Sequence, residues 1–304
     1  MHKVVQKIRL VWMMLAGLIG LLCLGAAHAD VATPDTDSAA SLRARYLALT
    51  PQLSSNQFKR PLYLHSVESP KHLRGEIYAL VDYPFAAVNQ AFNDPTHWCD
   101  MLILHINTKY CQASTRPTGT LLAVSIGKKD YQPLGQAYRV NFAYRVATST
   151  PDYFDVGLSA KTGPLGTSDY RIRLDAVSVP GNKTFLHITY SYAYNLAGRL
   201  AMQAYLATIG RNKVGFSATG SPVSGGPGLI GGVRGVVERN TMRYYLAIDA
   251  YLAALATAPA RQVEQRLQNW FTSTELYARQ LHEVDRATYL DMKRREYQRQ
   301  QPAR

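Results

Sequence analysis

Cysteine and acidic residues are both scarce in this chain. Its 304 residues include 3 cysteines, and 34 lysines and arginines stand against 21 aspartates and glutamates. No two histidines have the spacing of a zinc site, and no serine or cysteine has the surroundings of a hydrolase nucleophile. The sequence therefore predicts no metal site, and it excludes the common motifs of nucleophilic catalysis.

One glycine-rich segment, residues 226–231, has the G-x-G-x-x-G spacing of a dinucleotide-binding loop and precedes a predicted helix. Asp249 follows about 20 residues later, where such folds carry the acidic residue that binds ribose. The chain has no strand–helix–strand crossover around this segment, however. We therefore predict no cofactor, and interpret the segment as a mobile loop beside a cavity mouth, with ligand gating as a hypothesis.

The first 29 residues have the pattern of a secretory signal peptide. Basic residues precede 18 apolar residues at 10–27, and Ala27-His28-Ala29 has the small-residue A-x-A pattern of a cleavage site. The alternative is a retained transmembrane anchor, since the apolar run approaches spanning length. The small residues Ala27 and Ala29 and the polar stretch after them favour cleavage near Ala29. We therefore predict a periplasmic or secreted protein.

The chain carries an excess of positive charge. Removal of the signal takes away three cations and no carboxylate, so the formal charge falls from +13 to +10. In an exported chain this excess favours anionic lipid headgroups or acidic partners over nucleic acid, although solubility alone explains it equally well. We predict no nucleic-acid partner, and an anionic membrane surface stays open as a partner.

Two cysteines remain after cleavage, Cys99 and Cys111, 12 positions apart. Exported proteins fold in an oxidising compartment, where such thiols commonly pair. We therefore predict one structural disulfide rather than a redox-active pair.

Hydrophobic periodicity predicts an α+β chain built around an antiparallel meander. A short helix at 41–49 and a strand over 73–82 are followed by two short helices, and the second of these carries Trp98. Turn residues then separate six further strands. Their predicted ranges are 102–110, 119–127, 136–148, 152–161, 168–179 and 183–194.

The rest of the chain is predicted to be mainly helical. A helix over 196–209, a short strand over 213–219 and a glycine-rich loop over 221–232 lead to two long helices. Their apolar residues recur at helical spacing over 233–255 and 263–288. Beyond Met292 the chain becomes charged, and we expect it to fray.

This order of elements resembles the START-like, or helix-grip, superfamily of lipid-transfer domains, pollen allergens and polyketide cyclases. The resemblance is carried by residues 81–98 (VDYPFAAVNQAFNDPTHW) and 234–245 (RGVVERNTMRYY). It implies a curved antiparallel sheet of about seven strands wrapped on a long C-terminal helix, with additional helices at both ends. The assigned segments are an N-terminal extension at 30–72, the domain at 73–256 with an insertion at 196–232, and a C-terminal helical extension at 257–304.

Period-two alternation places the side chains of Leu186, Ile188 and the three tyrosines that follow on one face of their strand. If this face is concave, it lines a cavity between the sheet and the long helix. Otherwise it packs under a helix or faces solvent. The candidate ligand-binding residues are Trp98, Ile188, Tyr190, Tyr192, Tyr194, Glu238, Tyr244 and Ile248; Trp98 is first of all a core residue beside the disulfide.

Ionisable side chains give weaker signals. Glu238 lies among several arginines, so pairing along a helix surface explains it first, and a cavity-facing Glu–Arg pair that binds a polar headgroup is the alternative. His97, His105 and His187 could act as general bases near neutral pH, but isolated histidines on half-buried strands are usually structural. We therefore name no catalytic residue.

The leading hypothesis is a periplasmic protein that binds or carries a hydrophobic or amphipathic ligand, such as a lipid, fatty acid, sterol or terpenoid. The first alternative is a cyclase- or hydrolase-type enzyme in the same cavity, which requires groups such as His105, His187 or Glu238 to converge inside it. The second is a non-catalytic envelope interaction module that has a filled core and works through its C-terminal helices.

Overall fold

The computed structural model describes residues 38–208, 210–223 and 226–301. The predicted signal peptide at 1–29 lies outside the described residues. Within the described ranges, no helix is both long and apolar enough to cross a membrane. The chain from residue 38 onward forms one compact unit, and the segment boundaries assigned from sequence remain a prediction.

An antiparallel sheet of eight strands forms the centre of the fold. In chain order the strands are β1 (Leu62–Ser69), β2 (His72–Val81), β3 (Thr108–Arg116), β4 (Gly119–Ile126), β5 (Tyr138–Ser149), β6 (Tyr153–Thr162), β7 (Thr167–Val179) and β8 (Lys183–Tyr194). Across the sheet the order is β1-β2-β8-β7-β6-β5-β4-β3, so strands β3 to β8 form the predicted meander and β2 pairs with β8.

Helices cover both faces of this sheet. The longest, α5 (Gly232–Ala253), packs on β1, β2 and β8 along the concave face, so the predicted α+β helix-grip fold is confirmed. The helices are α1 (Ala39–Ser54), α2 (Phe85–Phe92), α3 (Pro95–Leu102), α4 (Leu196–Ala207), α5 (Gly232–Ala253), α6 (Pro259–Glu275), α7 (Ala278–Leu281) and α8 (Arg286–Gln300).

The inner face of the sheet is apolar because its strands alternate with period two. Ile188 on β8 pairs with Ile77 on β2 and with Leu174 on β7, and all three side chains are fully buried. Gly75 is an inward position of β2, where a Cβ atom would overlap Thr241 Oγ1 of α5. Glycine therefore allows the helix to approach β2 this closely.

The outer face of the sheet is covered by α1. Leu42, Leu49 and Leu53 of this helix are buried together with Val177 and Phe185 of the sheet. The predicted N-terminal extension therefore contributes a second, smaller core on the outer face. It also contains β1, the strand of the eight-stranded sheet that the sequence analysis missed.

Several element boundaries differ from the sequence prediction. The strand predicted over 102–110 is wrong in its first half, because α3 extends to Leu102 and turns occupy 103–107. A short apolar run satisfies a helix and a strand equally well. The predicted strand at 213–219 and loop at 221–232 are replaced by a hairpin of β9 (Ala218–Val223) and β10 (Gly226–Leu229).

The predicted long helix over 263–288 is also divided. Asp285 begins a new helix as its N-cap, since its Oδ1 accepts a hydrogen bond from Thr288 N at 3.0 Å. The prediction that the chain frays beyond Met292 is wrong, because α8 continues to Gln300. Lys293 and Glu296 of this helix are 0% and 1% exposed.

A buried charge cluster holds α8 against the start of β3. Lys293 Nζ donates to His105 O and Thr108 O, both at 2.7 Å, and to Glu296 Oε2 at 2.8 Å. Lys109 Nζ lies 3.0 Å from Glu296 Oε1. Charged residues that look solvated in the sequence are therefore part of the interior.

The predicted disulfide is confirmed: Cys99 of α3 is bonded to Cys111 of β3, with Cα atoms 5.1 Å apart. Both residues are buried in the main core. The bond therefore connects the α2–α3 region to the edge of the meander.

Replacement of both cysteines by alanine is expected to lower the free energy of unfolding by about 3 kcal/mol, because the bond restricts the unfolded chain. Urea unfolding of the two proteins measures this difference. The wild type under reducing conditions is the matched control and should lose a similar amount. Equal stability of the oxidised wild type and the double variant would contradict a structural role.

Burial lowers the pKa of Lys293 to about 8, although Glu296 opposes this shift. In the unfolded chain a lysine titrates near its ordinary pKa of about 10.4. Between these two values the unfolded chain binds a proton that the folded chain lacks, so this group's contribution to stability rises from about pH 8 to about pH 10.

The Lys293→Met variant is expected to lose this part of the pH dependence. Urea unfolding at both pH values measures it, and Lys161→Met, at an exposed position of β6, should keep the wild-type slope. A wild-type slope in Lys293→Met would contradict the assignment.

Candidate ligand-binding site

Two adjoining cavities lie between the sheet, α4 and α5. The Arg239 cavity has a volume of about 280 Å³, and the Val233 cavity one of about 330 Å³. Each is close to the lower end of the range for small-molecule pockets. They adjoin because four residues line both cavities: Thr167, Tyr192, Gly198 and Met202.

The sheet contributes a floor of phenol rings. Tyr170, Tyr190 and Tyr192 line the Arg239 cavity, and Tyr192 and Tyr194 line the Val233 cavity. The rings of Tyr170 and Tyr192 stack with their centroids 5.3 Å apart, and Tyr190 lies 5.1 Å from Tyr244 of α5. The face of β8 that carries these tyrosines is therefore the concave one.

The phenols of the floor keep their protons at physiological pH. Burial raises the pKa of Tyr170, Tyr190 and Tyr192 above the ordinary value for tyrosine. Tyr170 Oη donates a hydrogen bond to Thr167 Oγ1 at 2.9 Å. The floor thus combines apolar ring surface with hydroxyl groups that can contact a polar atom of a ligand.

The inserted helix α4 forms the roof. Its N-cap Asn195 accepts a hydrogen bond from Gly198 N at 3.0 Å. A Cβ atom at Gly198 would lie 3.0 Å from Gly166 O, so the start of α4 packs tightly against the turn before β7. Ala201, Met202 and Tyr205 line the Arg239 cavity from above.

The wall formed by α5 is polar. Arg239, Asn240 and Arg243 line the Arg239 cavity, and Lys129 joins them from the loop after β4. Lys129 Nζ also lies 5.4 Å from the ring centroid of Tyr205 in the roof. The cavity therefore has cationic groups on one side and phenol rings on another.

Three of the candidate residues from the sequence line the cavities, namely Tyr190, Tyr192 and Tyr194. Tyr244 lies next to them, between Tyr190 and His105; the ring centroids of Tyr244 and His105 are 4.9 Å apart. Whether these residues bind a ligand stays a prediction.

Trp98, Ile188 and Ile248 are corrections to the predicted lining. All three are fully buried in the main core and are not among the residues that line either cavity. Trp98 Nε1 donates to Phe92 O at 2.8 Å, which satisfies its one polar atom. Large apolar side chains near the middle of α5 and the sheet fill the space there.

Glu238 is fully buried, and both sequence interpretations of it are wrong. Its carboxylate accepts hydrogen bonds from Ser66 Oγ and Phe216 N at 2.6 Å, and from Ser217 N and Oγ at 3.0 and 2.7 Å. It does not pair on the surface, and it lines neither of the two cavities. It joins α5 to β1 and to the segment before β9.

His187 lies on the outer face of the sheet. Its ring nitrogens are 3.0 Å from Asp175 and 3.1 Å from Glu76, and its ring stacks on Tyr78. Burial alone would lower the pKa of His187, but hydrogen bonds to the two carboxylates raise it. This histidine faces away from the cavities.

His105 lies behind Tyr244 and is also absent from the lining of both cavities. Burial and the nearby Arg243 and Lys293 hold its pKa well below the usual range, so the imidazole is neutral. His97 hydrogen-bonds Ala91 O at 3.0 Å. The ionisable groups that the catalytic alternative requires therefore do not converge in the two cavities.

The sequence analysis predicted the helix α4 within an insertion but named none of its residues as cavity lining, and it named neither Arg239 nor Arg243 as a site residue. Tyr170 was detectable, because it alternates with Ile172 and Leu174 along β7. Arg239 and Arg243 lie four positions apart and so share a face of α5, but sequence alone does not tell a buried face from a solvated one.

No family model matches this chain, and no curated protein matches it. Among solved structures, Ara h 8.0201 is similar at 11% identity, covering 63% of this chain and 99% of that chain with a TM-score of 0.35. Norcoclaurine synthase from Thalictrum flavum with dopamine and hydroxybenzaldehyde has 11% identity, coverages of 47% and 77%, and a TM-score of 0.31. A conserved protein from Geobacillus kaustophilus has 12% identity over 45% of this chain and 85% of that chain, with a TM-score of 0.31. These TM-scores are too low to transfer a ligand or a reaction.

The Glu238→Gln variant is expected to lose about 2–4 kcal/mol of unfolding free energy, because an amide cannot accept all the hydrogen bonds that the buried carboxylate accepts. Urea unfolding measures the loss. Glu264→Gln is the control: this exposed carboxylate pairs with Arg294, and its loss should cost less than about 1 kcal/mol. Equal, small effects of both variants would contradict the assigned role of Glu238.

Proposed function

We propose that this protein binds an amphipathic small molecule between the sheet and α5, under the roof formed by α4, and carries it outside the cytoplasm. The observation that supports the proposal is the pair of adjoining cavities with a phenolic floor. The export signal in the sequence supports the location, and the resemblance to the START-like superfamily supports the class of ligand.

Burial of apolar surface supplies the main driving force in this proposal. Each Å² of ligand surface removed from water contributes about 25 cal/mol before the costs of ordering. Tyr192 and Met202 line both cavities, so one elongated ligand can contact them along its middle. Phenol hydroxyls and the polar wall would then fix its orientation.

The roof offers the route for exchange. Gly198 is the one buried residue of α4, and Leu196 and Leu200 are 72% and 57% exposed. Because α4 buries so little surface, displacing it costs less free energy than displacing α5. In the proposed mechanism α4 moves to admit the ligand, and the excess positive charge keeps the carrier near anionic membranes.

No specific observation favours either alternative from the sequence analysis, the cavity enzyme or the interaction module. The catalytic alternative depends on His105, His187 or Glu238 inside the cavity, and none of them lines it. The interaction module requires a filled core, and two cavities remain between the sheet and α5.

The Ala201→Trp variant is expected to weaken binding of the neutral dye N-phenyl-1-naphthylamine at least tenfold, because the indole occupies the Arg239 cavity. Dye fluorescence against protein concentration measures the affinity. Leu200→Trp, the adjacent exposed position of α4, is the control and should bind like the wild type.

Native mass spectrometry of the purified protein provides an independent check. We expect a co-purified small molecule in the wild type and much less in Ala201→Trp. Absence of both dye binding and co-purified ligand in the wild type would overturn the proposed function.

A further inference from the structure

We infer that the bound molecule carries an ionised acidic group, a carboxylate or a phosphate, which Arg239 and Arg243 bind on the polar wall of the Arg239 cavity. This inference rests on the proposed function and names the chemical class of its ligand. It follows from an imbalance of buried charge at one end of the cavities.

Arg239 is the first element of this imbalance. Its side chain is 1% exposed, yet it lines the Arg239 cavity. Nη1 donates to Val214 O at 3.2 Å, and within the described part of the chain no carboxylate lies within salt-bridge distance of the guanidinium. A buried cation without an anion is costly, because burial removes its hydration and nothing replaces it.

Arg243 lies one helical turn further along α5 and is 3% exposed. Nη2 donates to Glu283 Oε1 at 2.6 Å, while Nε has no hydrogen-bond partner among the described residues. Burial lowers the pKa of Arg243; Glu283 opposes the shift, and the neighbouring Arg239 adds to it. Arg243 is therefore only partly compensated.

Glu283 is shared among several cations and cannot neutralise them all. Besides Arg243, it contacts Lys129 at 2.8 Å and Lys213 at 3.6 Å. Burial would raise the pKa of Glu283, but Arg243 and the two lysines lower it, so it is ionised. Among the described residues, three cations thus contact one carboxylate and Arg239 contacts none, and the two arginines are the most deeply buried of the four.

The position of the cluster fixes the orientation of the ligand. Arg239 and Arg243 line the Arg239 cavity but not the Val233 cavity, whose lining includes Leu73 and Val233. Tyr192 lies near Arg239 and lines both cavities, so in this orientation it contacts the ligand between its acidic group and its apolar body. The acidic group then lies on the arginines, and the apolar body extends over the phenols toward Val233.

A series of ligands with one chain and different headgroups tests this inference on the wild type. Decanoate, decyl phosphate and decanol compete with N-phenyl-1-naphthylamine at about pH 7.5, where the acids are ionised. We expect one or both acids to bind at least tenfold more tightly than decanol. Equal affinities would overturn the inference and leave the proposed function intact, whereas failure of all three to bind would overturn the proposed function.

Inorganic phosphate alone separates an amphipathic ligand from a free anion. We expect it to bind at least tenfold more weakly than decyl phosphate, because it lacks the surface that the phenols bury. Inorganic phosphate that binds as tightly as decyl phosphate would overturn the inference of an amphipathic acid.

The Arg239→Met variant tests the residue. We expect it to reduce the affinity for the tighter acid at least tenfold and to leave that for decanol within about twofold. Arg239→Lys should recover part of the loss, and this variant also serves if the methionine variant does not fold. Arg145→Met, at an exposed position of β5 that lines neither cavity, is the control and should bind the acid as the wild type does. Unchanged acid binding in both folded Arg239 variants would overturn the role of Arg239.

Discussion

The close contact between α5 and the β1–β2 edge determines the rest of this structure. Gly75 removes the side chain that would hold the helix away from β2, and Glu238 bonds to Ser66 of β1 from the same helix. The helix is thereby fixed at one side of the concave face. Because it lies there, it leaves the start of β7 and the end of β8 uncovered, and the cavities occupy that space under α4.

The chain buries charged side chains in two different ways, and the difference between them supports a ligand-binding role for the cavity. Glu238 has a donor for each carboxylate oxygen, and Lys293 has two carbonyls and a carboxylate. These sites are complete, so they stabilise the fold. Arg239 has one carbonyl partner and opens onto a cavity. An incomplete cation site that opens onto a cavity is the arrangement expected where a ligand supplies the missing partner.

Much of the fold could be predicted from the sequence because its strongest signals are local. Strand β8 was predicted at its observed bounds, since its inward tyrosines alternate with period two and turn residues flank it. Strand β1 was missed, because polar residues lie on both of its faces: His65 is on the outer face, and Glu68 shares the inner face with Leu62 and Leu64.

The site was only partly predictable, and the reason is the same for each miss. Glu238, Arg239 and Lys293 are charged residues on helices, and propensity rules assign such residues to solvated surfaces. Their burial depends on segments distant in sequence: Glu238 meets Ser66 of β1, and Lys293 meets backbone carbonyls before β3. A local pattern carries no information about such partners, whereas the phenolic face of β8 is a property of one strand.

The C-terminal helices cannot be separated from the cavity in a functional argument. Trp270 Nε1 of α6 donates to Arg243 O at 3.2 Å, and Glu283, between α7 and α8, bonds to the Arg243 side chain. This segment therefore sets both the position and the charge balance of the polar wall. Its deletion would change ligand binding as well as any docking surface, so a truncation does not distinguish a carrier from an interaction module. Point substitutions inside the cavity do distinguish them, because they leave the C-terminal helices in place.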